Sequence, residues 1–323
     1  MYQDKPIFEP SEWKLTKLQK ELCDETRFLA SKNFVSRAVK YDQDASFPTE
    51  NYSDLFKNNL MGICIPKEYG GRDADLKTYM LAAAEIGRYC GATALTFNMH
   101  VSSCLWTGYL ADNLDMSEDL RKEHHNLRAL HYERILSNGS IYAQPFSEGN
   151  ASAAGKSAFG TKALKTSNGW IINGKKIFAS LSGHANFYGV LCTELETQAS
   201  KPSRANTMYV AVPAQQKGVT VEGEWNPLGM RGTVSRTLVF KDVFIPFEEQ
   251  LMPRGIYYNA AKQWPHMFMT LTPSYIGLAQ ACYDFTVRYL RGEQPGMQEV
   301  KRRMYPTKQL TVAQIKIILE QTK

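Results

Sequence analysis

The feature that most constrains the fold is a change in hydrophobic period near Asn138-Gly139, reversed after Pro253. Before the change, apolar residues recur at helical spacing; between the two points they follow a strand-like pattern. Helices that are separated from strands, rather than alternating with them, argue against a Rossmann βαβ fold. The sequence therefore predicts an α+β protein with an N-terminal helical domain (1–139), a middle antiparallel β-barrel or sandwich domain (140–251) and a partial C-terminal helical bundle (252–323).

Composition excludes several classes of protein. The 323 residues are 43% hydrophobic, enough for a large core in two or three domains, and the net charge of +6 is scattered, so nucleic-acid binding is not indicated. The six cysteines are far apart without a Cys-x-x-Cys pair, which favours reduced thiols in a cytoplasmic compartment. No apolar run is long enough to span a bilayer, and the N-terminus has no signal-peptide core. We therefore expect a cytoplasmic protein with no membrane association.

The segment from Ile141 to Tyr188 contains the parts of a pocket for a flat, phosphate-bearing cofactor. Gln144-Pro145 ends a strand, and the small polar residues 147–152 would let backbone amides approach a pyrophosphate. Two strands with Asn-Gly turns follow and lead into Phe178-Ala179-Ser180. On a regular strand Phe178 and Ser180 share a face, so a ring for packing and a hydroxyl for hydrogen bonding would lie side by side.

These motifs resemble the middle domain of the acyl-CoA dehydrogenases. That family carries a Thr-Glu-Pro-x-x-Gly-Ser stretch, an Asn-Gly-x-Lys turn and Trp-x-Thr, in the order seen here as 143–149, 173–176 and 178–180. A later block, 229–233 followed by 240–246, is similar to the family's Gly-x-Arg-Gly-Ser/Thr and Phe-x-x-Val-x-Val-Pro signature. The resemblance extends more thinly over nearly all of the chain, although the C-terminal part supplies about two helices of a four-helix bundle.

The resemblance implies FAD as cofactor and a set of residues that bind it. Two of the family's contacts are altered: Ala143 replaces a threonine and leaves only its backbone, and Glu148 places a carboxylate where a phosphate is expected, which would repel it unless turned away. The family also implies an arginine and a glutamine that reach the pyrophosphate of a neighbouring subunit. Ordinary strand residues and a solvated basic run remain the alternatives for these positions. The predicted cofactor-binding residues are Tyr142, Ala143, Gln144, Gly149, Phe178, Ala179, Ser180, Arg302 and Gln314.

The activity that the resemblance implies is α,β-dehydrogenation of an acyl-CoA thioester. A glutamate would remove the α-proton, a hydride would pass to flavin N5, and an electron-transfer flavoprotein would accept the electrons. A homo-oligomer, dimer or tetramer, is expected. At the position where some members place the base, this chain has Met267, beside Phe268 where a CoA-binding arginine is common. The catalytic base is therefore unknown, and a flavin-dependent monooxygenase or a non-catalytic assembly partner remain alternatives.

The histidines are weak candidates for catalysis or metal binding. His100 and His266 could each replace the missing base, but a lone histidine on an apolar helix is more often a hydrogen-bonded core residue. His124, His125 and His131 lack the spacing of a helical metal site and are expected to face solvent, so no metal is predicted. Arg231 is expected to make structural hydrogen bonds.

Overall fold

The computed structural model describes residues 5–149, 157–294, 296, 298 and 303–323, without the side chains of 266–268. Helices precede and follow the strands, as the hydrophobic periods predict. The N-terminal helices are α1 (Pro10–Trp13), α2 (Lys17–Leu29), α3 (Val35–Gln43), α4 (Thr49–Lys57), α5 (Leu76–Gly87), α6 (Gly91–Leu105) and α7 (Glu118–Asn138). The C-terminal helices are α8 (Ile256–Gln263), α9 (Thr272–Arg291) and α10 (Pro306–Thr322).

The helix-to-strand switch lies where the sequence predicts it. Ser117 caps α7 by accepting a hydrogen bond from the Leu120 amide. The helix ends at Gly139, whose φ of +65° is a left-handed conformation that glycine adopts without a Cβ clash. The amides of Gly139 and Ser140 then bond back to Ile135 and Arg134 at 3.1 Å each. These caps direct the chain into the first strand.

The strands form a single sheet within the described residues. They are β1 (Tyr142–Ala143), β2 (Lys162–Lys165), β3 (Gly169–Ala179), β4 (Phe187–Leu195), β5 (Thr207–Pro213), β6 (Val219–Glu222), β7 (Arg236–Pro246) and β8 (Gln250–Met252). Their order is β6-β7-β3-β2-β4-β5-β8, with β1 also paired to β4.

The sheet is mixed rather than wholly antiparallel, which corrects the sequence-based expectation. Both β1 and β2 run parallel to β4, Tyr142 opposite Phe187 and Lys162 opposite Thr193. Because β5 pairs along β4 over Phe187–Thr193, β1 and β2 share the opposite edge. They are two pieces of one edge separated by the excursion 144–161. That excursion carries two of the predicted cofactor-binding residues, Gln144 and Gly149, out of the sheet.

The C-terminal helices pack on the N-terminal ones through a close helix contact. A Cβ on Gly277 of α9 would lie 2.2 Å from the Ala84 carbonyl oxygen of α5, so the absence of a side chain permits this approach. Arg88, just after α5, pairs with Asp284 of α9 at 2.6 Å, and both side chains are buried. Within the described residues no helix is both long and apolar enough to cross a bilayer. The exact domain boundaries remain predictions.

Candidate flavin and substrate site

A cavity of about 460 Å³ lies between the sheet and the helices. One wall comes from the strand region and its loops, and the other from α6 and the segment that leads into α9. The strand-side wall contains Gln144, Phe146, Ser147, Phe178, Ser180, Trp225, Met230, Thr233 and Ser235; the helical wall contains Leu95, Asn98, Met99, Trp106, Thr270, Leu271 and Tyr275. The cavity therefore joins the predicted cofactor residues to a second, mainly apolar surface.

Phe178 and Ser180 do share this cavity, although not through a regular strand. The pairing of β3 with β7 is irregular between Lys176 and Ala179, and Phe178 has a left-handed φ of +51°. Its ring is 67% exposed and makes an edge contact with Trp225 at 6.1 Å. A large exposed ring in a left-handed conformation at the wall of a cavity is strained and open to a partner. This geometry fits packing against a flat ring.

Ser180 heads a chain of hydroxyl groups with a definite direction. The Thr233 hydroxyl donates to the Met230 carbonyl at 2.9 Å, so its oxygen accepts from Ser235 at 2.7 Å. Ser235, having donated its hydrogen, then accepts from Ser180 at 2.8 Å. Each hydroxyl has one hydrogen to donate, so the remaining capacity of the Ser180 oxygen is as an acceptor. The cavity wall thus presents an acceptor beside the Phe178 ring.

The other residues predicted from the middle domain are divided by the structure. Gln144 lines the cavity, and its Nε2 lies 3.3 Å from the Tyr209 hydroxyl. The side chains of Tyr142, Ala143 and Ala179 are buried in the core and do not line the cavity. Gly149 lies in the excursion with a φ of +78°. Apart from Gln144, these positions can therefore meet a cofactor only through their backbones.

Glu148 is turned away from the cavity and neutralised. Its carboxylate accepts hydrogen bonds from Lys176 Nζ at 2.6 Å, from the Thr161 hydroxyl at 2.6 Å and amide at 2.9 Å, and from the Gly160 amide at 2.6 Å. Burial raises the pKa of this carboxyl, but the attraction and hydrogen bonds of Lys176 and Thr161 outweigh it and leave the pKa below its ordinary value. The repulsion of a phosphate expected from the sequence is therefore removed by an internal ion pair.

His100 is a core residue, as the sequence-based alternative predicts. Its Nε2 lies 2.9 Å from the Met61 carbonyl, and its Nδ1 accepts from the Tyr142 amide at 3.1 Å. A carbonyl only accepts and an amide only donates, so the ring is the neutral tautomer with hydrogen on Nε2. Burial lowers its pKa to about 4. His100 therefore anchors β1 to α6 and does not line the cavity.

The expectation of solvent-facing histidines on α7 is wrong for two of the three. His124 and His131 are buried, with His124 Nε2 2.8 Å from the Thr107 carbonyl and His131 Nδ1 2.9 Å from the Tyr142 hydroxyl. The reason is that one face of α7 packs against the Trp106–Leu110 turn and β1, which the sequence pattern of this mixed helix does not reveal. His125 is half-buried beside Asp112. Across the described residues no group of histidine, cysteine and acidic side chains could hold a metal ion.

The residues predicted from the C-terminal region either lie away from the cavity or fall outside the described residues. Gln314 is exposed on α10 and is not part of the cavity wall, so its contact with a neighbouring subunit stays a prediction. Arg302 and the side chains of His266, Met267 and Phe268 lie outside the described residues. Arg231 is confirmed as a structural residue, since it donates to Asp42 of α3 at 2.7 Å.

The chain matches two domains of a known enzyme family, the N-terminal and the middle domain. Residues 16–111 match the acyl-CoA dehydrogenase N-terminal domain and residues 146–243 match the acyl-CoA dehydrogenase middle domain. The probable acyl-CoA dehydrogenase YngJ of Bacillus subtilis is 26% identical over 285 residues, covering 86% of this chain and 70% of the relative. The chain thus belongs to the acyl-CoA dehydrogenase family.

Solved structures confirm the fold. Butyryl-CoA dehydrogenase from Megasphaera elsdenii superposes with a TM-score of 0.75 at 20% identity, covering 95% of this chain and 76% of that one. KijD3, solved with FMN and a dTDP-linked amino-keto sugar, gives a TM-score of 0.74 at 23% identity, covering 94% and 70%. For the matched dehydrogenases of Solanum tuberosum and Clostridium acetobutylicum, the match spans 63% to 65% of the relative's length.

Proposed function

We propose that this chain is a flavin-dependent oxidoreductase that, with FAD, dehydrogenates an acyl-CoA thioester at its α,β bond. The observation that carries the proposal is the pairing of the exposed Phe178 ring with the acceptor oxygen of Ser180 on one wall of a cavity. The family and its flavin-bound structural neighbours support a flavin as the cofactor. A cytoplasmic homo-oligomer that passes electrons to an electron-transfer flavoprotein completes the proposal.

The residues of the strand-side wall fit a flavin ring. Phe178 would pack against the ring and Ser180 would accept a hydrogen bond from a ring N–H, while the backbone of 143–147 would meet its polar edge. The bound flavin supplies the hydride acceptor. Because the Glu148 carboxylate is held by Lys176 and by the Gly160 and Thr161 amides, it would not repel an anionic phosphate at this edge. The mainly apolar helical wall would exclude water from the reacting carbons.

The walls of this cavity do not supply the base that would remove the proton from the substrate. Among the described residues of its walls there is no carboxylate and no imidazole. Dehydrogenation at an α-carbon needs a base within hydrogen-bond reach. We therefore propose that the base comes from outside these described walls, for example from another subunit.

Flavin titration tests the cofactor site directly. We expect the protein to bind FAD with an oxidised-flavin spectrum near one flavin per chain. Ser180→Ala should weaken binding about threefold to tenfold, since a single hydrogen bond contributes about 0.5–1.5 kcal/mol. Ser182→Ala is the matched control, because the Ser182 hydroxyl bonds to the Ala179 carbonyl and lies outside the cavity. Absence of flavin binding by folded protein would refute the proposal.

A flavin-dependent monooxygenase is a second candidate, favoured by the same absence of a base in the described walls. Oxygen activation at a reduced flavin needs no carboxylate to remove a carbon-bound proton. The two candidates differ in anaerobic behaviour. Dehydrogenation predicts that an acyl-CoA bleaches the oxidised flavin without oxygen. The monooxygenase predicts no anaerobic bleaching, with oxygen consumption only after the flavin is reduced and a substrate is added.

A further inference from the structure

Asn98 presents an unsatisfied hydrogen-bonding group to the cavity. It lies on α6, its side chain forms part of the helical wall, and the residue is only 1% exposed. Its Oδ1 accepts from the Tyr79 hydroxyl at 3.1 Å and, weakly, from Ser102 at 3.5 Å. The Nδ2 group makes no hydrogen bond within the described part of the chain. The amide nitrogen is not among the fully enclosed unpaired atoms, so it is open to the cavity, and a molecule bound there can accept its hydrogen bond.

Two further polar groups occur on the walls of the same cavity. Thr270 is 6% exposed, and no hydrogen bond of its hydroxyl occurs among the described residues. Gln144 uses its Nε2 toward Tyr209 and leaves its Oε1 unpaired in the described structure. The remaining members of the helical wall are apolar except for the Tyr275 hydroxyl and the Trp106 indole. On the helical wall the polar groups are therefore few and lie within an apolar surface, as in pockets that select one ligand orientation.

Asn98 lies on the helical wall, opposite the residues that fit a flavin. Its partner is therefore the substrate rather than the flavin. The exposed ring and the hydroxyl chain that fit a flavin, Phe178 and Ser180, lie on the strand side. Asn98 lies on α6 together with Leu95 and Met99, on the opposing helical side. A flat ring packed on the strand-side wall leaves the helical wall to the molecule that reacts with it.

We propose that Asn98 determines substrate specificity by donating a hydrogen bond to an oxygen acceptor, a keto group by preference, within the buried part of the substrate. This inference rests on the proposed function. The proposed hydrogen bond implies a substrate that carries an oxygen acceptor rather than a plain saturated acyl chain. An acyl chain whose only oxygen is that of the thioester group would place no acceptor of its own against the Asn98 N–H, and sites built around such a donor discriminate strongly against ligands that lack the acceptor.

The test compares ligands of equal size that differ in one oxygen. Flavin-loaded protein is titrated with oxo-hexanoyl-CoA thioesters carrying the keto group at carbon 4 or 5 and with the matching methyl-branched thioesters. Binding is followed by calorimetry and by the flavin spectrum. We expect at least one keto ligand to bind about tenfold or more tightly than its methyl counterpart. Asn98→Leu should bring this ratio close to one.

Tyr79→Phe is the matched control variant. It removes the same internal hydrogen bond as Asn98→Leu, but Tyr79 does not line the cavity. Discrimination should therefore persist in Tyr79→Phe even if both variants lose stability. Equal loss of discrimination in both variants would assign Asn98 a structural role and overturn the proposal. An unchanged ratio in Asn98→Leu with weaker flavin binding would place the amide against the flavin and would also overturn it.

A pair of ligands without CoA separates this inference from the proposed function. Cyclohexanone and methylcyclohexane are compared by ligand-observed NMR with the same flavin-loaded proteins. If no CoA thioester binds, acyl-CoA dehydrogenation fails as the function. A preference for cyclohexanone that depends on Asn98 would still uphold the inference. Absence of a preference in both ligand pairs overturns it.

Discussion

Lys176→Met is expected to lower the free energy of unfolding by about 3 kcal/mol or more, because it leaves a buried carboxylate without its counter-charge. The side chains of Lys176 and Glu148 are 0% and 4% exposed, and Nζ lies 2.6 Å from both Glu148 Oε1 and the Leu191 carbonyl. The substitution removes both bonds at once. Chemical denaturation, monitored by fluorescence and circular dichroism, measures the loss.

Two further variants make this prediction specific to the buried pair. Lys165→Met alters a lysine on the neighbouring strand β2, whose partner Glu196 is 3.9 Å away, with side chains 44% and 59% exposed. An exposed pair contributes little, so this control should change stability by about 0.5 kcal/mol or less. The double variant Lys176→Met with Glu148→Gln should recover part of the loss, since no net charge then remains buried. Similar losses for Lys176→Met and Lys165→Met would contradict the prediction.

The same pair links stability to the cofactor site. The Ile177 amide donates to the Ser147 carbonyl at 2.8 Å, so the excursion is tied to β3 at Ser147 as well as at Glu148. Loosening this region should weaken flavin binding as well as folding. Glu148→Gln leaves the buried Lys176 ammonium without its counter-charge, so we expect it to lower both quantities as well.

The sequence predicts the fold well because its strongest signals are local. The change of period at Gly139 depends on nearby residues, and the structure confirms it with a helix that ends there. The parallel placement of β1 and β2 along β4 could not be predicted in this way. It depends on which distant strands pair, and the apolar pattern of a strand does not encode the direction of its neighbour.

The candidate site is only partly predictable for the same reason. Phe178 and Ser180 are separated by one residue, so even an irregular strand end keeps them near one cavity. Asn98 comes from a helix 80 residues earlier in the chain and carries no motif. Glu148 is recognisable as a departure from the family pattern, but its neutralisation by Lys176 depends on the folded excursion. Motifs thus identify one wall of the cavity, whereas packing determines the other.

Acidification should destabilise the protein through its buried histidines. Burial lowers the pKa of His100 and His124 to about 4 each and that of His131 to about 3, against an ordinary value of 6.5. Below pH 6.5 these histidines take up protons in the unfolded chain but not in the folded one. The contribution of these histidines to stability is therefore full above that pH and is lost as the pH drops from 6.5 toward 4.

Glu85 acts in the opposite direction. It is buried in the contact between α5 and the N-terminal segment, where its Oε1 accepts from the Ile7 amide at 2.7 Å. Burial raises its pKa to about 7 from an ordinary 4.5, and the nearby Arg27 and Arg88 reduce the rise only partly. Between these values the folded state holds a proton that the unfolded chain lacks. Glu85 thus adds stability as the pH falls from 7 to 4.5 and offsets one of the three histidines.

The opposing effects of the buried histidines and Glu85 predict how steeply the free energy of unfolding depends on pH. The slope is set by the net number of protons taken up on unfolding. Near pH 5, three protons taken up by the unfolded chain at these buried histidines and one held by the folded chain leave a net uptake of about two on unfolding, and the pKa of His184, which burial and Arg236 also lower, adds to it in the same direction. At about 1.4 kcal/mol per proton and pH unit, stability should fall by about 3 kcal/mol per pH unit. Glu85→Gln should raise the net uptake to about three, and His124→Gln should lower it to about one. Denaturation curves between pH 6.5 and 5 measure each slope, and equal slopes for the two variants would show that these groups do not titrate as their burial requires.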